Sequence, residues 1–384
     1  MNQNLKALLL LMLVSVLTTV HAKPITCTIK GTIINSDSKN ILLHKATDDV
    51  RAKHVVIPIV NNTFEYTFAV SAPEVYRVVF EDEFEKGTWR RIDFFPEKGQ
   101  ILFTLYPMME GGKNKIEGGE LNKQLQDFWQ GYDTHLEKEV TPYTEPLSKQ
   151  LRALYHKGEY ESPAADSIRM EMKKFTKKQS DWDNNYIDSN PNLASYYQFV
   201  SDFLTIPDYS KELATQRASV FSKLYPQHPY TELVRNKMES RERLQVGGKY
   251  FDFSAPTLEG KVVKLSKVMK DDYVLLDFWG SWCGSCIKIS KSMIPVYEEF
   301  KDKGFTVIGI AREFKNTDKY KKAMERDKYP WLNLIELNDQ NGIWQRYDYA
   351  GGGGTVLVNK KGVIVALDPT AEELRALLQK ELVK

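Results

Sequence analysis

Two almost unbroken apolar runs in the last third of the chain constrain its fold more than any other feature. They cover residues 273–279 and 305–310. Runs of this length that do not alternate with polar residues are typical of strands buried on both faces. The residues between them repeat apolar side chains at helical intervals. A strand, a helix and a second strand in this order predict a βαβ unit, and with it an α/β fold.

The pattern after this unit completes a domain. We assign an α/β sandwich to residues 247–384, because a βαβ half followed by a ββα half places helices on both faces of one sheet. The second half is predicted as a helix near 315–327, a strand at 355–358, a turn at 359–362, a strand at 363–367 and a closing helix at 371–381.

Two further segments precede the sandwich, as expected for 384 residues at roughly 100 to 200 residues per domain. Residues 23–118 hold short runs rich in Val, Ile, Thr, Tyr and Phe between turns, which predicts an antiparallel β domain of six or seven strands. Residues 119–246 repeat Leu, Phe, Tyr and Trp at helical intervals, which predicts a helical segment of five or six helices broken at prolines. The glycine-rich stretch at 110–119 predicts a hinge between them.

The first 22 residues have the composition of an export signal. One basic residue, Lys6, precedes a short apolar run, and Val20-His21-Ala22 offers small residues for cleavage after Ala22. The alternative, a transmembrane anchor, needs about 20 apolar residues, and the run is shorter. Cys27 follows a polar stretch and does not end the apolar run, so we do not expect a lipid anchor. After cleavage the chain is not expected to span a membrane.

Composition excludes several classes of protein. Lys and Arg number 53 and Asp and Glu 51, interspersed, so no field of one sign is available for a nucleic acid or an anionic membrane. Three cysteines among 384 residues cannot form the disulfide framework of a small secreted scaffold. Cys27 is predicted to be a small buried residue of the first strand, and the alternative is a reactive or intermolecular thiol.

The other two cysteines lie where the first apolar run meets the following helix. Cys286 is predicted to point into the core, because apolar residues recur after it at intervals of three and four: Ile289, Met293, Val296 and Phe300. Cys283 lies one turn earlier, at the helix start, where free N–H groups and the helix dipole stabilise an anion. Since the thiolate is the nucleophile in thiol chemistry, we predict that Cys283 attacks and Cys286 resolves.

Asp277 interrupts the first apolar run shortly before these cysteines. We predict that its carboxylate is buried beside the helix start, where burial raises its pKa. Such a group can take a proton from Cys286 through a water and return it in the reverse step. The alternative is an edge-strand position that leaves the carboxylate in solvent.

Other uses of a Cys-x-x-Cys pair find little support. A zinc site lacks its second pair of ligands, since Cys27 is the only other cysteine and residues 247–384 contain no histidine. A peroxide-reducing cysteine calls for Thr or Ser three residues earlier, where this chain has Gly280. A Cys-His hydrolase lacks a nearby base. Dithiol-disulfide exchange remains, and it needs neither a metal nor an organic cofactor.

Residues 247–384 resemble the thioredoxin fold of the periplasmic TlpA-type thiol-disulfide oxidoreductases. The preceding β and helical segments resemble the N-terminal extension often fused to such domains in bacterial envelope proteins. The resemblance implies a periplasmic location, reduction of protein disulfides and a membrane electron donor that recharges the dithiol. It rests on residues 253–261, Asp277-Phe278-Trp279, Trp282-Cys283-Gly284-Ser285-Cys286, Tyr329-Pro330-Trp331 and residues 359–362.

The chain departs from the family pattern in the loop that faces the cysteines. The family usually has a cis-proline just before the strand that corresponds to residues 355–358, and Gly353 takes that place here. Because a cis bond before another residue costs about 2.5 to 4 kcal/mol, we expect a trans bond and a mobile loop. Ile289, Lys291 and Gly284-Ser285 also replace residues common in the family. The rim on which substrate lies is predicted to comprise Trp282, Gly352, Gly353 and Gly354.

Two alternatives to an exported reductant remain open at this stage. One is a binding or scaffold protein of the envelope, whose thioredoxin-like domain turns over weakly or not at all. The glycine loop, residues 351–354, favours the binding protein, and the large N-terminal extension would be its binding surface. The other is an oxidant, which differs only in reduction potential. The sequence makes no prediction of the oligomeric state.

Overall fold

The structure, a computed structural model, describes residues 24–206, 208–349 and 351–383. The predicted export signal over residues 1–22 lies outside them. Within the described ranges, no helix combines the length and the apolar character that a membrane crossing requires.

Short strands with inward apolar residues form the first part of the chain. They pair as two four-stranded sheets, in the orders β4-β1-β7-β8 and β3-β2-β5-β6, around one shared apolar core that includes Cys27. All pairings are antiparallel except that of β1 with β7. The elements are β1 (Ile25–Ile33), β2 (Asn40–Lys45), β3 (Val55–Pro58), β4 (Thr63–Val70), β5 (Tyr76–Phe80), α1 (Glu81–Glu85), β6 (Ile92–Phe94), β7 (Gly99–Leu105) and β8 (Lys115–Glu117).

The glycine-rich stretch at residues 110–119, which is predicted to be a hinge, has regular local structure held by hydrogen bonds. A 3-10 helix (Met108–Lys113) leads into β8, which pairs with β7. The Asn114 side chain accepts a hydrogen bond from the Tyr106 N–H at 2.8 Å and closes the turn. Gly118 and Gly119 have φ angles of 104° and 84°, which glycine adopts without strain, and they carry the chain into the next helix.

A helical segment follows, and prolines mark its breaks as predicted. Pro163 and Pro229 begin two of the helices, where the missing N–H costs no hydrogen bond. A π-helical turn (Leu136–Val140) joins the first two helices. The helices are α2 (Glu120–His135), α3 (Thr141–His156), α4 (Pro163–Ser189), α5 (Leu193–Thr205), α6 (Lys211–Leu224) and α7 (Pro229–Arg243).

The helical segment packs against the sheet that contains β5 and β6. The buried Tyr230 hydroxyl accepts a hydrogen bond from the Val75 N–H at 2.7 Å. The Tyr197 hydroxyl donates to Asp93 at 2.6 Å, and Asp93 also pairs with Arg77. These contacts make the sheet and the helices one packed body.

The last part of the chain confirms the predicted α/β sandwich. Its five-stranded sheet has the order β13-β12-β11-β14-β15, with β11, β12 and β13 parallel and the last two strands antiparallel. Apolar clusters lie on both faces. The elements are β9 (Ser254–Pro256), β10 (Val262–Lys264), α8 (Leu265–Val268), β11 (Tyr273–Trp279), α9 (Gly284–Phe300), β12 (Phe305–Glu313), α10 (Asp318–Asp327), β13 (Leu332–Leu337), α11 (Ile343–Arg346), β14 (Thr355–Asn359), β15 (Ile364–Leu367) and α12 (Ala371–Leu382).

Candidate active site

Cys283 and Cys286 form a disulfide at the start of α9, with their Cα atoms 5.3 Å apart. Cys283 is the N-cap residue of this helix, and its sulfur accepts a hydrogen bond from the Cys286 N–H at 3.3 Å. Both residues are almost buried, with exposed fractions of 7% and 3%. Gly284 and Ser285 between them are exposed. Little of the disulfide is therefore exposed to solvent.

The loop between β11 and α9 is fixed to the end of β12. The Ser281 N–H and hydroxyl donate to the buried carboxylate of Glu313 at 2.7 and 2.6 Å. The Trp282 indole donates to the Arg312 carbonyl at 2.8 Å. A Cβ on Gly280 would lie 2.8 Å from the same carbonyl, so the strand approaches too closely for a side chain there. These contacts hold the cysteines near the carboxyl end of the central strand β11.

Asp277 lies in the central strand and is buried, as the sequence predicts. Its exposed fraction is 2%, so the solvent-facing alternative is wrong. Burial raises the pKa of this carboxyl group to about 7, and interaction with Ser290 opposes part of the rise. Ser290 lies on the inner face of α9, where its hydroxyl donates to the Cys286 carbonyl at 3.1 Å. Asp277 Oδ2 has no hydrogen-bond partner in the described part of the chain.

The glycine loop meets Cys286 through Gly353. The Gly353 N–H donates to the Cys286 sulfur at 3.3 Å, a bond that proline could not make. A Cβ at this position would lie 1.7 Å from the Phe278 carbonyl oxygen. Gly354 accepts a hydrogen bond from the Phe278 N–H at 2.9 Å, and the described residues contain no cis peptide bond, as expected at Gly353. Gly352 is exposed.

Trp282 is half-buried and covered from outside its own domain. The guanidinium of Arg51, from the loop between β2 and β3, lies 4.1 Å from the centre of the indole ring. Phe314 and Trp344 pack against the same side chain. No sequence pattern indicates the contact with Arg51, because it joins residues far apart in the chain.

Several residues of the site were not predicted from the sequence. The loop between β11 and α9, called the cysteine loop below, is held by Ser281, Arg312 and Glu313. In the sequence, the only indication of this contact is the pair of charged residues shortly after the second apolar run. Asn333, in the unpredicted strand β13, accepts a hydrogen bond from the Trp279 indole at 2.9 Å. No cluster of three or more His, Cys, Asp or Glu residues suited to a metal occurs in the described ranges.

Comparisons with known proteins place this site in a family. A model of the AhpC/TSA family matches residues 246–367, and one of a domain of unknown function, DUF4369, matches residues 27–125. Thioredoxin-like protein YneN of Bacillus subtilis (strain 168) is 32% identical over 123 residues, which are 32% of this chain and 69% of that protein. Thiol-disulfide oxidoreductase ResA of Bacillus anthracis is 29% identical over 151 residues, or 38% of this chain and 85% of the relative. The chain belongs to the TlpA-type thioredoxin-like thiol-disulfide oxidoreductases.

The matches to these oxidoreductases lie in the C-terminal part of the chain. The sequence relatives show that the protein is a thiol-disulfide oxidoreductase with a thioredoxin-like domain. The DUF4369 region extends this thioredoxin-like domain at its N-terminal side. Among solved structures, the thioredoxin domain of a thiol-disulfide oxidoreductase from Bacteroides vulgatus is 31% identical, covers 36% of this chain and 99% of its own, and gives a TM-score of 0.33.

Proposed function

We propose that this thiol-disulfide oxidoreductase is exported to the periplasm and reduces protein disulfides through Cys283 and Cys286. The observation that carries the proposal is the Cys283–Cys286 disulfide at the start of α9, with the buried Asp277 in the adjacent central strand. A membrane electron donor would return the disulfide to the dithiol after each turnover. The amino-terminal composition supports export.

Cys283 is the attacking thiol in this proposal. As the N-cap residue of α9 it lies at the positive end of the helix dipole, and the Cys286 N–H already points at its sulfur. Both features favour the thiolate. The thiolate attacks one sulfur of the substrate disulfide, a mixed disulfide forms, and the other substrate sulfur leaves as a thiolate that takes up a proton.

Cys286 completes the reaction as the resolving thiol. It loses its proton to Asp277 through a water, because a buried carboxylate with a pKa near 7 can accept a proton at neutral pH. The Cys286 thiolate then attacks the Cys283 sulfur, which releases the second substrate thiolate. Two electrons pass to the substrate, and the enzyme is left as the Cys283–Cys286 disulfide. The Gly353 N–H, 3.3 Å from the Cys286 sulfur, stabilises that thiolate.

The substrate would lie against the glycine loop and the cysteine loop. Gly352 and Gly353 offer backbone groups that an extended segment can pair with, and Trp282 borders the other side. Gly354, predicted to be part of the rim, is buried, and its carbonyl already accepts the Phe278 N–H. The chain is proposed to divide into an export signal (1–22), a β domain (23–118), a helical segment (119–246) and the thioredoxin-like domain (247–384). Separate apolar clusters support the boundary at residue 246, whereas the β domain and the helical segment share a cluster that includes Val75 and Phe95.

The reduction potential of the cysteine pair tests the direction of the reaction. A Cys27→Ala variant of the mature chain would be titrated in glutathione and dithiothreitol buffers, so that the thiol content reports only Cys283 and Cys286. A two-electron transition near or below about −250 mV is expected of a reductant, whereas a value above about −150 mV would indicate an oxidant. The absence of a reversible transition would contradict the proposal and favour an envelope binding protein.

A trapping experiment tests the roles of the two cysteines. Cys286→Ser should accumulate a mixed disulfide with a substrate protein, because Cys283 can attack but nothing resolves the product. Cys283→Ser should accumulate none. Adducts on Cys286 in the second variant would reverse the assigned roles. Non-reducing electrophoresis followed by mass spectrometry of the adduct distinguishes these outcomes.

A further inference from the structure

The loop between β2 and β3, residues 46–54, reaches from the β domain to the active site. Its Arg51 guanidinium lies 4.1 Å from the ring centre of Trp282 and 4.4 Å from that of Phe314. Trp282 directly precedes the attacking Cys283. The N-terminal extension therefore supplies part of the wall around the reactive sulfur.

Charged groups from both domains fix Arg51 in this position. Asp49 accepts hydrogen bonds from Arg51 Nε at 3.0 Å and from Nη2 at 2.6 Å. Asp49 also pairs with Arg312 of β12 at 3.3 Å. Arg312 in turn pairs with Asp339, and its carbonyl accepts the Trp282 indole hydrogen bond. The network thus ties the loop to the same strand that fixes the cysteine loop.

The wall leaves the cysteines accessible from one side. Arg51 covers one face of the half-buried Trp282, whereas the backbone of Gly351 and Gly352 is exposed. A folded protein that docks needs on the order of 800 Å² of contact on each partner, which requires free surface around the sulfur. An extended segment needs only one free edge, along which it can pair its backbone.

We propose that Arg51 determines which disulfides this enzyme accepts, by covering the face of Trp282 and so restricting the site to disulfides in extended, flexible protein segments. Arg51 acts by its shape, since Asp49 already balances its charge. This inference rests on the proposed function, because it specifies the substrate class of the same dithiol. Arg51 does not touch the reacting sulfurs in this arrangement, so it is a specificity residue.

Arg51→Ala tests the proposal with three substrates of different bulk. These are native insulin as a folded protein disulfide, an unstructured peptide closed by one disulfide, and bis(2-hydroxyethyl) disulfide. We expect kcat/KM for insulin to rise by about fivefold to tenfold, because a folded substrate no longer has to displace Arg51 from its partly exposed cation–π contact with the indole. The values for the peptide and the small disulfide should stay within about twofold, because these substrates do not need the covered face.

Two variants of the same loop serve as controls. Lys53→Ala removes an exposed cation and should leave all three rates unchanged. Arg51→Lys keeps the charge but loses the planar group that stacks on the indole, so its insulin rate should lie between wild type and Arg51→Ala. A parallel change with all three substrates, or an insulin rate that is unchanged or lower, would overturn the proposal.

Alkylation of the reduced protein gives a readout that does not depend on turnover. In Arg51→Ala, Cys283 should react faster with a polyethylene glycol maleimide, while its rate with iodoacetamide changes little. An equal change with both reagents would indicate altered thiol reactivity and would contradict a role in access. Failure of the wild type to reduce either the peptide disulfide or insulin would refute the proposed function, and the alkylation ratio would still decide the role of Arg51.

Discussion

At the scale of single residues, the buried carboxyl group of Asp277 lowers the stability of the folded protein when it is ionised. Its carboxyl group is buried in the central strand, and burial raises its pKa to about 7, well above the value near 3.9 of an unfolded chain. Between these two values the folded state binds more protons than the unfolded state. The contribution of Asp277 is therefore most favourable at low pH and is lost as the pH rises through about 7.

Asp277→Asn should remove this pH dependence. We expect the oxidised variant to be more stable than wild type at pH values near 8, by on the order of 3 kcal/mol, and to match it at pH values near 4. Urea unfolding at the two pH values measures the difference. Asp302→Asn, which changes an exposed carboxylate, should leave the profile of the wild type intact. An equal difference between Asp277→Asn and wild type at both pH values would show that Asp277 does not titrate between them.

Residue roles that follow from local spacing could be predicted from the sequence. The interval pattern after Cys286 placed one sulfur in the core and the other at the helix start, and the structure has both in those positions. Ile289 of that pattern is exposed, and Ser290 takes its place on the buried face. Asp277 was predicted to be buried because it interrupts an apolar run. Arg51 could not be predicted, since a contact between two domains leaves no periodic pattern in either. Sulfur chemistry and proton transfer at these residues stay predictions until the experiments above are done.

At the scale of elements, the loop from β11 to α9 depends on one buried carboxylate of β12. Glu313 accepts both the Ser281 N–H and the Ser281 hydroxyl, and its pKa is raised by burial, with these hydrogen bonds opposing the rise. A buried carboxylate that loses a donor is destabilised mainly in its charged form. The hold on the cysteine loop should therefore weaken most at high pH when that donor is removed.

Ser281→Ala should destabilise the domain by about 1 to 3 kcal/mol at pH 8 and by less at pH 5. The reason is that the lost hydroxyl stabilises the ionised Glu313. Chemical unfolding of the oxidised protein at both pH values measures the effect. Ser285→Ala, in the same motif but exposed, should change stability by no more than about 0.5 kcal/mol. Equal losses at the two pH values would show that the Glu313 carboxyl group does not change its protonation state between them.

Elements with regular apolar periodicity were predicted well, and those that use buried polar residues were not. β11, α9, β12 and α12 follow continuous or helical patterns. β13 was missed because Asn333 and Glu336 interrupt its apolar residues, although both are buried. Glu336 accepts hydrogen bonds from the N–H groups of Ile343 and Trp344 at 2.8 and 3.0 Å, so its polarity serves the turn into α11. A strand whose side chains accept hydrogen bonds from a neighbouring turn departs from the apolar pattern by which buried strands are identified.

At the scale of the whole molecule, the β domain and the helical segment share buried hydrogen bonds. Tyr230 is fully buried in α7, and its hydroxyl is the partner of the Val75 N–H just before β5. Removing the hydroxyl leaves a buried N–H without that partner. Such a loss affects both segments, because the bond lies between them.

Tyr230→Phe should lower the free energy of unfolding by about 1 to 3 kcal/mol. Hydrogen exchange followed by mass spectrometry should show faster exchange both in β5 and in α7. Tyr155→Phe, which removes an exposed hydroxyl, is the matched control and should leave exchange unchanged. Loss of protection confined to the helices would show that the sheet is stable without them.

The contact of Arg51 and Asp49 with the thioredoxin-like domain also bears on how such genes can recombine. Arg312 is 3% exposed and faces Asp49 of the extension. A crossover near residue 246 that joined the thioredoxin-like domain to an unrelated extension would remove Asp49, one of the two acids paired with the buried Arg312, and would uncover the indole beside Cys283. We therefore expect the extension and the thioredoxin-like domain to be inherited together. A recombinant protein with another extension would need compensating changes in β12 to restore the contacts around Arg312 and Trp282.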